Sequence, residues 1–276
     1  QEILGELGVH FEASASEATA TAMLAASVHY PIRGAVTYKS VVGTNGVLVP
    51  PPGYLAGVRE LCDRYGIVYI ADEVMVGFGR VGEWFACQAW DVTPDLITFA
   101  KGINSGYVPL GGVVISERIA SKFDHKPYPG GLTYSGHPLA CAVGVASIEV
   151  FERDNVLGHV RAVGEDVLGA GLKKLGESHP SVGEVRGMGF FWALELVKDR
   201  STREPLIPFA AGGADSAPMA EVTAAAKSRG LWPFTAGNRL QLAPPLVASE
   251  DEIVQGLEIL DEVLTVADEI AARGTP

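Results

Sequence analysis

The spacing of apolar positions predicts a helix–strand unit near the middle of the chain. Tyr54–Tyr65 carries apolar residues at helical spacing, and Gly66 follows as a probable C-cap residue. Residues 67–71 then form a short apolar run, which is typical of a strand buried on both faces. A similar run at residues 96–100 predicts a second strand. Both elements favour a doubly wound α/β sheet.

The pattern changes towards the C-terminus. Pro138 is well placed at the first turn of a helix over residues 139–151, whose apolar positions on all sides predict deep burial. Beyond about residue 153, amphipathic helices are predicted to alternate with short strands, as in a smaller α+β domain. The predicted helices cover 156–175, 219–228 and 250–272, and the strands cover 182–185, 190–197 and 240–242. Upstream, an apolar stretch at 24–30 is compatible with a helix.

Composition narrows the possible partners. The 276-residue chain is 47% hydrophobic, with a net charge of −12, which argues against nucleic acid or an anionic membrane as partner. The pI is about 4.9. Three cysteines without CxxC spacing indicate reduced thiols, and nothing suggests a metal site. No apolar run reaches the length of a membrane span and no signal peptide opens the chain, so we expect a cytoplasmic protein.

Each of the two predicted strands ends in a charged residue. Asp72 follows the first run and Lys101 follows the second, 29 residues later. The carboxyl ends of neighbouring strands meet at one crevice, where open α/β sheets bind ligands. A lysine there can act as a Schiff-base nucleophile, and an ionised aspartate can keep a pyridine nitrogen protonated. The residues alone leave alternatives open: a structural ion pair, or Asp72 as a helix cap.

The segments around the two residues carry a specific resemblance. Residues 71–80 read Ala-Asp-Glu-Val-Met-Val-Gly-Phe-Gly-Arg, and residues 90–102 read Trp-Asp-Val-Thr-Pro-Asp-Leu-Ile-Thr-Phe-Ala-Lys-Gly. Residues 105–112, Ser-Gly-Tyr-Val-Pro-Leu-Gly-Gly, follow the lysine. From about Val41 to the C-terminus, the chain resembles class III pyridoxal-phosphate-dependent aminotransferases, most closely the ω-amino acid:pyruvate type.

The resemblance implies a fold and a set of roles. Lys101 is the lysine that forms the aldimine with pyridoxal 5'-phosphate, Asp72 pairs with the pyridine nitrogen, and Val74 packs on the ring. Thr133 matches a threonine that binds the cofactor phosphate from the neighbouring subunit, which implies a homodimer with shared sites. By its residues alone, Thr133 is a turn threonine bonded to local backbone. The implied fold is a fold-type-I transferase with a mixed sheet.

The same resemblance suggests three parts. They are an atypical N-terminal segment at 1–40, a partial large pyridoxal-phosphate-binding domain at 41–152 and a small C-terminal α+β domain at 153–276. The family's phosphate loop and ring-stacking aromatic have no counterpart here. Ser16-Glu17-Ala18 receives no role, and Lys39-Ser40 stands where the family has Glu-Pro. We therefore expect a truncated or rearranged N-terminal part.

The last strand departs from the family at its substrate-binding arginine. Gln241 occupies that position, and Arg239, two residues earlier on the same strand face, is either a substitute or a surface charge. This difference argues against an α-amino acid as the amino donor and favours amines and ω-amino acids in that role. We predict amino transfer from such a donor to a 2-oxo acid, such as pyruvate. The alternatives are an impaired remnant or another pyridoxal-phosphate reaction, such as racemisation or decarboxylation.

Overall fold

The computed structural model describes residues 35–38, 41, 43, 45–128 and 131–273. The apolar stretch 24–30, Ser16-Glu17-Ala18 and Lys39-Ser40 lie outside the described residues. None of the helices within the described ranges is both long enough and apolar enough to cross a membrane.

The first half of the described chain forms a mixed sheet of four strands. In order across the sheet they are β1 (Ala35–Tyr38), β2 (Val68–Asp72), β3 (Leu96–Phe99) and β4 (Gly112–Ile115). The first three strands run parallel, and β4 pairs antiparallel with β3. This confirms the predicted mixed sheet. Helix α1 (Tyr54–Tyr65) leads into β2, and Gly66 ends it with a left-handed φ of 66°, as the sequence predicted.

Two predictions about burial in this half are wrong. In β2 the half-buried Val68, Ile70 and Asp72 alternate with buried residues, so the strand is not enclosed on both faces. After the short helix α2 (Glu117–Ala120), helix α3 (Pro138–Arg153) buries only three of its residues: Ala140, Gly144 and Phe151. Its Leu139 and Val145 are 59% and 57% exposed. The described chain covers α3 on one side only, although its sequence is apolar all round.

The second half contains an antiparallel sheet. In order across the sheet its strands are β5 (Val182–Met188), β6 (Phe191–Asp199), β9 (Arg239–Leu242) and β8 (Phe234–Ala236), and β7 (Glu204–Pro205) pairs with β6. Its buried core includes Trp192, Leu194 and Leu264. The helices and strands agree with the predicted α+β pattern. The helices are α4 (Val156–Val163), α5 (Ala170–Ser178), α6 (Ala217–Ser228) and α7 (Glu250–Arg273).

A π-helical segment, Gly164–Gly169, joins α4 to α5, where the sequence predicted one continuous helix. Its two glycines permit close approach to the second sheet. A Cβ on Gly164 would lie 2.6 Å from the backbone of Gly189, and a Cβ on Gly169 would lie 2.5 Å from Trp192. The segment thus packs tightly against the turn between β5 and β6.

The two halves share one packed core. Phe78, Ile103 and Phe151 belong to the same buried cluster as Phe190 and Trp192. The division of the chain at residue 152 remains our proposal. The residues on its two sides pack into one continuous core, so the packing does not mark a boundary there. This packing holds the second sheet against the carboxyl edge of the first.

Candidate active site

The two predicted charged residues lie at the same edge of the first sheet. Asp72 is the last residue of β2 and pairs with Thr98 of the parallel strand β3. Lys101 lies three residues beyond Thr98 and begins a short 3-10 helix, Lys101–Asn104. The sheet therefore brings the carboxylate and the amine to neighbouring strand ends, as the sequence predicted.

The contacts of Asp72 bear on the alternatives that the sequence left open. Its Oδ1 accepts a hydrogen bond from the backbone N–H of Val74 at 3.2 Å, within a turn rather than at a helix start. Among the described residues, no ion pair joins Asp72 to Lys101, and the Lys101 amine has no hydrogen-bond partner. Neither a structural ion pair nor a helix cap describes the arrangement.

Lys101 opens into a cavity of about 950 Å³ between the two sheets. Its walls are mainly apolar, and none of the described residues that line it is acidic. The lining includes Met75, Phe78, Arg80, Lys101, Ser105, Tyr107, Phe151, Phe191 and Leu246. Concave, largely apolar cavities with a few polar groups are the usual form of small-molecule sites.

Three residues with a strained backbone lie in this cavity wall. Phe78, Lys101 and Ser105 are not glycines, yet they have left-handed φ values of 56°, 49° and 53°. Each such conformation costs on the order of 1–2 kcal/mol for an L-residue. Strained residues of this kind persist where the surrounding structure holds them, often at functional sites.

Glycines allow the strained loops to pack together. A Cβ on Gly102 would lie 2.9 Å from the Cβ of Phe78, and a Cβ on Gly77 would lie 2.8 Å from the carbonyl oxygen of Glu73. Phe78 contacts Phe85 and Phe99 edge-on, with ring centroids 5.4 and 5.5 Å apart. The loop after β2 is thereby held against the start of the Lys101 helix.

Glu73 is a supporting residue that the sequence analysis missed. Its side chain is fully buried, and it accepts backbone N–H bonds from Ala86 at 2.9 Å and Cys87 at 3.0 Å. These bonds anchor the 3-10 helix Ala86–Trp90 next to the cavity loop. Burial and the nearby Glu73 raise the pKa of the Cys87 thiol to about 12, which keeps it protonated. The available signal was an acidic residue directly after a predicted buried strand.

Arg80 is a second residue that the sequence analysis missed. Its Nη1 donates to the carbonyl oxygens of Phe190 at 3.2 Å and Pro244 at 2.6 Å, and it lines the cavity with Lys101. Burial lowers the pKa of its guanidinium to about 10, so the group remains charged at neutral pH. The available signal was a single charged residue in an otherwise glycine- and aromatic-rich loop.

Of the predicted site residues, only Lys101 is among the described residues that line this cavity. Asp72 lies outside the lining, half-buried at the end of β2, and the remaining predicted residues lie outside it as well. Val74 is half-buried in the turn after β2, and Thr133 is exposed in a turn where its hydroxyl bonds to no described residue. Arg239 donates to the carbonyl oxygens of Asn45 at 2.8 Å and Ala236 at 3.1 Å. Gln241 is buried in β9 and lines a neighbouring cavity of about 690 Å³.

Comparisons with known proteins agree with this arrangement. A family model described as Aminotransferase class-III matches residues 9–264. The taurine–pyruvate aminotransferase of Bilophila wadsworthia is 39% identical over 235 residues, or 82% of this chain and 51% of that protein. The putrescine–pyruvate aminotransferase of Pseudomonas aeruginosa is 37% identical over 228 residues, or 82% of this chain and 47% of that protein.

A solved structure is similar over most of the fold. The taurine:2-oxoglutarate aminotransferase from Bifidobacterium kashiwanohense, in complex with PLP and glutamate, superposes with a TM-score of 0.83 at 42% identity. The alignment covers 94% of this chain and 59% of that one. The resemblance is therefore to a fold-type-I transferase, as the sequence predicted.

These matches also fix the extent of the resemblance. The chain spans about half the length of the curated relatives that it matches. The family match begins at residue 9, upstream of Val41, so our placement of its start at Val41 was too late. With the family model matching residues 9–264 and relatives 37–39% identical over 82% of the chain, this protein belongs to the class III aminotransferases.

Proposed function

We propose that this protein is a pyridoxal-phosphate-dependent aminotransferase that moves an amino group from an amine or ω-amino acid to a 2-oxo acid such as pyruvate. The observation that carries the proposal is that Lys101 has no acidic partner among the described residues and opens into an apolar cavity, with Asp72 at the end of the neighbouring strand. The activities of the relatives, taurine–pyruvate and putrescine–pyruvate amino transfer, support the choice of donor and acceptor classes.

The residues of this chain fit pyridoxal 5'-phosphate as the cofactor. Lys101 offers a free amine to an aldehyde, and Asp72 has one carboxylate oxygen without a hydrogen-bond partner among the described residues. Lys101 would hold the cofactor's aldehyde carbon and Asp72 its pyridine nitrogen, with Val74 against the ring. Pyridoxal phosphate, when bound, supplies an electron-accepting pyridinium ring. The solved relative that contains PLP supports this assignment.

The chain's own groups perform the remaining tasks. The Lys101 Nζ would be the base that takes a proton from the substrate carbon and holds it before its return. Phe78, Phe151 and Phe191 give part of the cavity wall an apolar surface, and water excluded by this surface would strengthen electrostatic interactions next to it. Asp72 would place its carboxylate against the ring nitrogen of the cofactor.

We further propose a homodimer in which each copy contributes to the other's site. Apolar side chains are exposed in the described chain on α3, in the loop before α3 and in the loop before β4. Tyr107, Leu132 and Tyr134 are 80–83% exposed, and Leu139 is 59% exposed. Apolar surface of this kind marks an interaction site. Thr133 lies in the loop before α3, where it would reach the partner's phosphate site.

The free thiols of Cys62, Cys87 and Cys141 fit a cytoplasmic location.

The proposal is tested by amino transfer from ω-amino acids and simple amines to pyruvate, measured as alanine. We expect alanine formation by the protein loaded with pyridoxal phosphate, and its loss in Lys101→Ala. Consumption of the donor without alanine would indicate a different pyridoxal-phosphate reaction. Absence of any donor turnover, together with a cofactor absorbance that does not depend on Lys101, would contradict the proposal.

A further inference from the structure

Arg80 is held in a fixed position by the second sheet. Its main-chain carbonyl accepts the N–H of Phe190 at 3.0 Å, while its Nη1 donates to the carbonyls of Phe190 and Pro244. Gly189 makes this approach possible, because a Cβ there would lie 2.9 Å from the Arg80 carbonyl oxygen. The guanidinium is therefore oriented before any ligand enters.

One edge of this guanidinium has no partner among the residues that the structure describes. Two bonds use Nη1, whereas Nε and Nη2 bond to no described residue. The described residues that line the cavity include no aspartate or glutamate. A partly buried charge without a counter-charge is costly to maintain. The Nε–Nη2 edge is also the one that binds a carboxylate through two parallel hydrogen bonds.

Arg239, the other arginine considered for substrate binding, is already engaged. It donates to the carbonyls of Asn45 and Ala236, and it lies outside the lining of the Lys101 cavity. Gln241, in the position where the family pattern has an arginine, lines the neighbouring cavity instead. Arg80 is thus the one described arginine that lines the cavity with Lys101.

We propose that Arg80 is the specificity-determining residue of this site and binds the substrate carboxylate through its Nε–Nη2 edge. This inference rests on the proposed aminotransferase function. The carboxylate comes either from an ω-amino acid donor or from the 2-oxo acid acceptor, since both present the same group to the cavity. Amines and aldehydes without a carboxylate gain nothing from Arg80.

The kinetic test compares Arg80→Met with wild type on matched substrates. In the donor half-reaction, 4-aminobutanoate is compared with butylamine, and in the acceptor half-reaction, pyruvate is compared with propanal. Loss of charge-assisted hydrogen bonds predicts a fall in kcat/KM of roughly 10- to 100-fold for the carboxylated member of the affected pair. Its neutral counterpart should change less than about twofold, and the affected half-reaction identifies the source of the carboxylate.

A binding test is independent of amino transfer. Propanoate, which carries neither an amino nor an oxo group, is titrated calorimetrically into the protein loaded with pyridoxal phosphate. Arg80→Met should weaken its binding by roughly 10- to 100-fold, and Arg80→Lys, which keeps the charge without the two-bond edge, by an intermediate factor. Arg200→Met is the matched control, because Arg200 also donates to two carbonyls, those of Gly176 and His179, away from the cavity.

The two tests separate this inference from the proposed function. A wild-type protein that binds propanoate through Arg80 but transfers no amino group would contradict only the aminotransferase activity. Equal losses for charged and neutral substrates, or propanoate binding unaffected by both Arg80 variants, would overturn the role of Arg80. If Arg80→Met fails to fold, the charged-to-neutral comparison is made with Arg80→Lys.

Discussion

The two ends of strand β3 carry charges in opposite circumstances. At its start, Asp95 is buried and accepts bonds from the backbone N–H of Tyr69, from Arg59 at 3.0 Å and from Arg118 at 2.9 Å. Just beyond its end, Lys101 has no partner among the described residues and a strained backbone. The paired charge stabilises the sheet, whereas the unpaired charge is available for a ligand. We propose that this contrast separates a structural charge from a functional one at the two ends of one strand.

The largest expected effect is a difference in the free energy of unfolding between substitutions at these two ends. Asp95→Asn should lower the free energy of unfolding by about 2 to 4 kcal/mol, because two guanidinium groups lose a buried counter-charge. Lys101→Met should change it by less than about 0.5 kcal/mol while abolishing amino transfer. Urea unfolding of both variants measures the difference. A stability loss in Lys101→Met equal to that in Asp95→Asn would erase the distinction.

A second paired charge allows the same idea to be tested by pH. His179, at the end of α5, places Nδ1 2.6 Å from Asp268 and Nε2 2.9 Å from Asp261 on α7. Burial alone would lower the pKa of His179, but the hydrogen bonds and charges of the two aspartates raise it above its ordinary value. An imidazolium fits this arrangement, since both ring nitrogens must donate.

The sign of this pH effect follows from the raised pKa. The contribution of protonated His179 to stability is fully present below the ordinary histidine pKa of about 6.5. It is lost as the pH rises through the higher, folded-state pKa. His179→Gln should therefore remove about 1.5 to 3 kcal/mol at low pH and much less at high pH. Thermal unfolding across pH measures it. An effect of the substitution that is the same at every pH would contradict this pairing.

The smallest effect is expected for Arg239. Arg239→Met loses hydrogen bonds to two carbonyls, for a cost of about 1 kcal/mol in stability. Because Arg239 lies outside the cavity, propanoate binding should change less than about twofold. Calorimetric titration beside Arg80→Met makes the comparison direct. A loss in Arg239→Met as large as that in Arg80→Met would favour the alternative in which Arg239 substitutes for the family's substrate-binding arginine.

Local signals in the sequence predicted much of the fold. The bounds of α1 follow from its helical apolar spacing and from Gly66, and the positions of β2, β3, β5, β6 and β9 follow from short apolar runs. Burial was less predictable because it depends on what covers each element. Helix α3 is apolar all round, yet its Leu139 and Val145 face outward in the described chain. Sequence periodicity does not record which neighbour covers a face.

Only part of the candidate site was predicted from the sequence, and the reason is physical. Asp72 and Lys101 stand out because each is a charge at the end of an apolar run. Glu73 and Arg80 do not, because their roles depend on contacts with residues 13 to 164 positions away. Arg80 in particular is positioned by a carbonyl of residue 244, which no local pattern indicates.

The most direct test of the central claim is to locate the covalent attachment of the cofactor. The protein is incubated with pyridoxal phosphate, reduced with borohydride, digested and mapped by mass spectrometry. We predict one dominant modified peptide, carrying the adduct on Lys101, and its absence in Lys101→Ala. An adduct spread over surface lysines such as Lys122 and Lys173, or the same pattern in Lys101→Ala, would contradict the assignment of this cavity as the active site.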